Sequence, residues 1–312
     1  FSSRRRHTRS AYVTGVLTCA LPISYREKMW GARLQTGPEV VETGPVRTCI
    51  RTVRHFLDSR IQQDMIVYPK SRRIDFVTDV DWRESQLFLK AAFPLEITAG
   101  CAVYDIQFGS LERPTHTNTS WEQAKFEVCA HKWADLSEYG YGAAVLNDCK
   151  YGYDIHGSVI RLSLLKSGIY PNPDADKEKH RFTYSLYPHM GGYREGKVIE
   201  KAYELNCPLY AVLTGPHAGS LPASYSMISA DRENIVIENV KEAEDSQRIV
   251  IRTYEAWGKR TAVRFRIAEE MGERVFDASL MEEEEQQIEC VNHMFTAEYG
   301  PYEIKTFLIG EQ

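Results

Sequence analysis

Through much of the chain, apolar and polar residues alternate one for one. Residues 73–82, RIDFVTDVDW, put Ile74, Phe76, Thr78, Val80 and Trp82 on one side and Arg73, Asp75, Val77, Asp79 and Asp81 on the other. A period of two belongs to a half-buried antiparallel strand. Similar runs predict strands at 60–68, 102–108, 126–130, 158–165 and 182–187. GPHAGSLP, at 215–222, reads as a loop or linker, and shorter strands follow at 234–238, 248–254, 261–267 and 302–309. Residues 197–205, between Gly196 and Pro208, fit a short helix as easily as a strand.

Many short strands in one chain imply an all-β sandwich or barrel. The punctuation divides the body into a large β unit at 25–222 and a smaller sandwich at 223–312. The acidic run at 281–289 reads as a solvated loop or sheet edge, where charge discourages unwanted strand pairing.

Composition narrows the function classes. The chain has 312 residues, enough for two domains, with 43% hydrophobic and 26% charged residues, as in a soluble globular protein. No apolar run approaches the ~20 residues that cross a bilayer, so no membrane partner is expected. The net charge is −5 and no basic stripe occurs, which argues against nucleic acid. The 7 cysteines are widely spaced and form no C-x-x-C. They read as reduced cytosolic thiols rather than a disulfide framework or zinc site.

The first 24 residues, FSSRRRHTRSAYVTGVLTCALPIS, have the basic start, apolar middle and small-residue exit of a secretory signal. They also closely resemble the peptide produced when a sequencing adapter is translated. On that reading, 1–24 lie outside the fold.

The densest polar constellation is LNDCKYGYDIHG at 146–157, which gathers Asn147, Asp148, Lys150, Tyr151, Tyr153, Asp154 and His156 between strands. Sugar sites use this mixture: acids and amides hold paired hydroxyls, and aromatic faces stack on ring C–H groups. The same residues also suit a polar turn with no ligand. Residues 109–138 contain Arg113, His116, Trp121, His131 and Trp133, read as a buried or interface cluster rather than a metal site. Pro188-His189 reads as a turn after a strand, and Asn118-Thr119-Ser120 has the form of a glycosylation sequon. The nucleophile-elbow, zincin, phosphate-loop and dinucleotide fingerprints are all absent.

Several longer motifs occur in order: DIQFG (105–109), RPTHTNTSW (113–121), KWADLSEYGYG (132–142), LNDCKYGYDIHG (146–157), IRLSLLKS (160–167) and PDADKEKHRFTYSLYPH (173–189). Together they closely resemble the C-terminal region of glycoside hydrolase family 38 α-mannosidases, nearest to the cytosolic and bacterial type. Residues 233–265 resemble that family's last β domain.

The resemblance implies a galactose-mutarotase-like β-supersandwich followed by a small β-sandwich. It implies a parent enzyme that hydrolyses terminal α-mannosides with retention, through a glycosyl-enzyme on an aspartate. Zn2+ or another divalent metal would be bound by the full-length enzyme and none by this region. The catalytic residues and metal ligands of the family lie in N-terminal α/β and helical domains, to which nothing here corresponds. This chain is therefore expected to be inactive alone, with those domains and an α-mannosyl oligosaccharide as its partners.

Loops of the supersandwich close the family's active site. The substrate-binding candidates by that comparison are Asn147, Asp148, Lys150, Tyr151, Tyr153 and Asp154, with Arg161 and Lys166 from IRLSLLKS. Some relatives carry arginine near the position of Lys166; lysine keeps the charge without the bidentate fork. Homologues are often oligomers, which leaves a homo-oligomer open. A non-catalytic carbohydrate-binding or scaffold module and a mutarotase-like sugar epimerase are the alternative readings.

Overall fold

The computed structural model describes residues 15–18, 29–220 and 222–311. These fall into two compact units, one of residues up to Asp105 together with Leu111–Leu209, the other of Ile106–Ser110 together with residues from Tyr210 onward.

In chain order the first strands are Gly15–Thr18 (β1), Met29–Gly31 (β2), Arg33–Thr43 (β3), Thr48–Phe56 (β4), Ser59–Val67 (β5), Ile74–Asp81 (β6), Leu87–Pro94 (β7) and Cys101–Ile106 (β8). They are followed by Gly109–Pro114 (β9), Val128–Cys129 (β10), Trp133–Glu138 (β11), Tyr141–Asn147 (β12), Gly152–His156 (β13), Val159–Lys166 (β14) and Lys179–Met190 (β15). A 6-stranded sheet has the order β10-β13-β14-β7-β1-β2, and a 9-stranded sheet the order β3-β4-β5-β6-β15-β12-β11-β8-β9. Leu89, Ala91, Phe93, Ile160, Leu162 and Tyr153 from the first sheet share one core with Phe76, Val80, Tyr104, Leu136, Val145 and Tyr184 from the second. The all-β sandwich expected from the alternation is thus the observed architecture, its core lying between two sheets.

β6 follows the predicted alternation: Phe76, Thr78, Val80 and Trp82 are buried, while Val77, Asp79 and Asp81 are partly exposed. Asp75 breaks the pattern because it has partners, accepting from Ser185 Oγ at 2.6 Å and Arg73 Nε at 2.7 Å. Pro188 and His189 lie inside β15 rather than in a turn. The β15 ladder to β6 ends at Leu186–Ile74, so a residue without an N–H is tolerated just beyond.

Among the described residues there are two short α-helices, Ser120–Gln123 (α1) and Val198–Asn206 (α2). The ambiguous 197–205 segment is thus helical, with Val198, Ile199 and Ala202 buried. The sequon residue Thr119 is the N-cap of α1, in a reciprocal capping box with Glu122. Of the opening stretch, β1 pairs with β7 and β2; residues 1–14 and 19–24 lie outside the described residues.

The second unit has strands Ile228–Ala230 (β16), Ile235–Glu242 (β17), Ile249–Glu255 (β18), Thr261–Ile267 (β19), Val275–Ala278 (β20), Glu284–Ile288 (β21), Met294–Tyr299 (β22) and Ile304–Ile309 (β23). A 3-stranded sheet, β16-β19-β22, and a 5-stranded sheet, β17-β18-β23-β20-β21, enclose Val263, Phe265, Phe295, Ile251, Val275 and Phe307. The acidic run forms β21, an exposed edge strand, where Glu284 pairs with Arg248. Among the described residues no helix is long and apolar enough to cross a membrane.

Candidate functional site

The LNDCKYGYDIHG stretch is the turn from β12 into β13, and its side chains divide into three groups. Asn147 is fully buried and organises the turn. Its Nδ2 donates to the His131 carbonyl at 2.7 Å and the Tyr153 hydroxyl at 2.8 Å, while its Oδ1 accepts from the Lys150 amide at 2.6 Å. Tyr153, also fully buried, points into the core and donates to the Val145 carbonyl. Burial raises its phenol far above the usual value, so it stays protonated. Both residues have their polar atoms engaged within the fold.

Asp148 ties the turn to β15, its Oδ2 accepting from the Thr183 amide at 2.9 Å. Its Oδ1 is buried without a hydrogen-bond partner. Next to it, the exposed Cys149 has its thiol pushed up to about 11 by partial desolvation and by Asp148, which disfavours the thiolate. Lys150 lies over the Phe182 ring at 4.7 Å. Tyr151 is 53% exposed, with its ring 5.5 Å from that of His131.

Asp154, Arg161 and Lys166 belong to a different surface, the face of the 6-stranded sheet opposite the core. Cross-strand pairing places Asp154 opposite Arg161, Gly152 opposite Ser163, Ser163 opposite Lys90, and, beyond a bulge, Lys166 opposite Phe88. Directly paired residues point to the same side of a sheet. Asp154 is the hub: Oδ1 lies 2.9 Å from His156 Nε2, and Oδ2 lies 3.3 Å from both Lys90 Nζ and Arg161 Nη1. Lys90 is 1% exposed and also bonds Glu127, which accepts from Ser163 Oγ at 2.5 Å.

A Cβ on Gly152 would stand 2.9 Å from Ser163 Cβ, so glycine is what lets Ser163 and Glu127 meet across β13. Lys166 is exposed at the end of β14, with Nζ 5.8 Å from the Phe88 ring centroid. Its amide donates to Asp176 Oδ2 at 3.1 Å.

The electrostatics follow from this packing. Burial alone would raise the Asp154 carboxyl, but the hydrogen bond from His156 and the charges of Lys90 and Arg161 outweigh it. They lower it from 3.8 to about 2. The arrangement is a fixed anion holding two cations and an imidazole on one face. Such a surface can present oriented N–H donors to hydroxyl groups. Sequence reasoning missed Lys90 and Glu127. The available signal was the lone lysine within the apolar strand LFLKAAFP, since a buried ammonium requires a partner.

Other motif residues hold strands together. Asp105 Oδ2 accepts from the Lys132 amide at 2.8 Å, and burial raises its carboxyl despite that lysine. Asp135 Oδ2 lies 2.6 Å from His189 Nε2, both buried, and Asp135 Oδ1 accepts from Ser137 Oγ at 2.5 Å. Trp133 is buried and stacks on Tyr193 at 5.1 Å, but Trp121 is 81% exposed, so the two tryptophans do not share one buried cluster. Among the described residues no group of three or more His, Cys, Asp or Glu could hold a metal ion.

Comparison with known proteins places this geometry. Residues 9–174 match the glycosyl hydrolases family 38 C-terminal domain, and 234–307 match the family 38 C-terminal beta sandwich domain. Alpha-mannosidase G of Dictyostelium discoideum is 40% identical over 280 residues, covering 86% of this chain and 26% of that protein. Human Alpha-mannosidase 2C1 is 46% identical over 205 residues, covering 64% of this chain and 19% of that protein. The chain thus spans about a quarter or less of these relatives. The crystal structure of an alpha-mannosidase from Enterococcus faecalis V583 superposes with a TM-score of 0.78 over 96% of this chain and 38% of that one. At 15% identity that likeness speaks for the fold alone.

Proposed function

Because the chain belongs to glycoside hydrolase family 38, we propose that it is the C-terminal β portion of a retaining, metal-dependent α-mannosidase acting on terminal α-mannosides of oligosaccharides. Its own part is to supply one wall of the sugar site to catalytic and helical domains that lie elsewhere in the polypeptide. The observation that carries this role is the ordered polar face of the 6-stranded sheet. There Asp154, itself held by Lys90, fixes the Arg161 guanidinium, and Lys166 stands exposed at the strand end. A guanidinium already held by a carboxylate loses little freedom when it meets a hydroxyl pair.

Within this wall the candidates take different roles. Arg161 and Lys166 present groups toward ligand from this face, Lys150 and Tyr151 do so from the separate β12–β13 turn, and Asp148 Oδ1 stays buried in that turn. Asn147, Tyr153 and Asp154 act as positioning residues, since their polar atoms are engaged by the fold. In this reading the metal and the nucleophile lie in the catalytic portion, and no chemical step falls to this chain. The described cysteines are free thiols scattered through the fold, which supports a reducing, cytoplasmic compartment.

The test is an α-mannosidase assay with added zinc on the 312-residue chain and on the longer polypeptide containing it. Turnover by the longer form and none by the chain is the expected result. Substantial turnover by the chain alone overturns the reading.

A further inference from the structure

Residues 205–230 contain no Asp, Glu, Lys or Arg, in a chain where those types make up 26%. Within that stretch Leu209, Tyr210, Ala211, Val212 and Leu213 form an unbroken apolar run. Leu209 is 99% exposed, Tyr210 98%, Val212 83% and Leu213 101%. Residues 208–214 belong to no helix or strand and, among the described residues, make no backbone hydrogen bond. Large apolar side chains and unpaired backbone groups are thus exposed together, a costly combination in water.

The chain treats its regular sheet edge very differently. β3 is an edge strand of the 9-stranded sheet, and it carries Pro38, Glu39, Glu42 and three register shifts against β4. Proline, charge and bulges are the usual devices against strand addition. Residues 209–213 have none of them.

An extended segment with apolar side chains at every position is a strand buried on both faces. In strand conformation Leu209, Ala211 and Leu213 would point one way, and Tyr210 and Val212 the other. Edge-to-edge pairing with a second copy would satisfy backbone groups along one side and leave a face uncovered. A sheet already covered on both faces buries both sets. The chain spans only 26% of the Dictyostelium relative, which leaves ample polypeptide to provide such a sheet.

We propose that residues 209–213 are a strand donated to the rest of the longer polypeptide, pairing with an open sheet edge there and burying both faces. The inference rests on the reading of this chain as part of a larger enzyme, and it assigns that assembly a specific anchor. Tethering makes the pairing intramolecular, so a short strand suffices.

The experiment is hydrogen–deuterium exchange at the amides of 209–213, in the 312-residue chain and in the longer polypeptide. Free-peptide rates in the chain and about a thousandfold slower exchange in the longer form are expected. Equal, fast exchange in both overturns the proposal.

V212D should leave the Tm of the chain unchanged, lower that of the longer form and restore fast exchange there. If that variant does not fold in the longer form, V212T gives the same comparison with a milder change. A chain that is dimeric alone and becomes monomeric on V212D also overturns the proposal, in favour of a second copy. α-Mannosidase turnover is scored separately. Its absence in a longer form that protects 209–213 would sink the enzyme reading and leave the docked strand standing.

Discussion

Lys90 Nζ stands 3.3 Å from Asp154 Oδ2, joining strands whose sequence positions are 64 apart. Lys90 is also bonded to Glu127, so one buried ammonium serves two carboxylates. Removing one partner of a buried pair strands the other charge and costs roughly 3–5 kcal/mol. Lys90→Met should therefore destabilise the chain by about that amount in urea unfolding. The double variant Lys90→Met/Asp154→Asn should lose less than the sum of the two single losses.

Asp154 also gives a pH signature. Its carboxyl is depressed from 3.8 to about 2, so the folded state favours the charged form. The corresponding stabilisation, about 2 kcal/mol, is complete above the unfolded value and disappears as pH falls through the folded one. The stability gap between wild type and Asp154→Asn should hold from pH 7 to about 5 and shrink between about 4 and 2. A gap that is flat across that window would mean that Asp154 is not the hub described.

Gly152→Ala tests the close approach across β13. The new methyl would press on Ser163 and separate it from Glu127. A loss of roughly 1–3 kcal/mol is expected from such overpacking. Gly157→Ala is a control of another kind: no atom lies within 4 Å of its Cβ position, but φ is +56°, so its cost comes from the backbone alone.

Asn147→Ala removes two donated bonds and one accepted bond from a fully buried turn. The loss should be about 2–4 kcal/mol, seen as a lower Tm of the chain. If the turn lines the sugar site, kcat/KM of the longer polypeptide falls as well, and Asn147→Asp gives no rescue, because a carboxylate cannot donate to the His131 carbonyl.

The strand pattern was readable because alternation reports burial directly: β6 and β19 lie where the one-for-one rhythm of 73–82 and 261–267 predicts. The segment at 197–205 was not readable, since nine residues between Gly196 and Pro208 satisfy either period; packing of Val198, Ile199 and Ala202 settles it as a helix. Pro188 misled because proline usually ends strands, and its tolerance depends on where the neighbouring ladder stops, a tertiary fact. LNDCKYGYDIHG looked like one site because its polar residues are adjacent in sequence. In the fold, the direction of each side chain sends Tyr153 to the core and Asp154 to the opposite face. The Asp154 cluster needed Lys90 and Glu127, which lie far away in sequence and enter only through strand pairing.

Lys166 gives the most direct test of the proposed wall, because its side chain is exposed and supports little of the fold. The measurement is kcat/KM for an α-mannoside with Lys166→Ala in the longer polypeptide, beside the Tm of the same variant. The wall predicts a fall of about tenfold or more, equivalent to some 1.4 kcal/mol of transition-state binding, with Tm unchanged. Unchanged kcat/KM would contradict it and leave this face of the sheet with no part in sugar recognition.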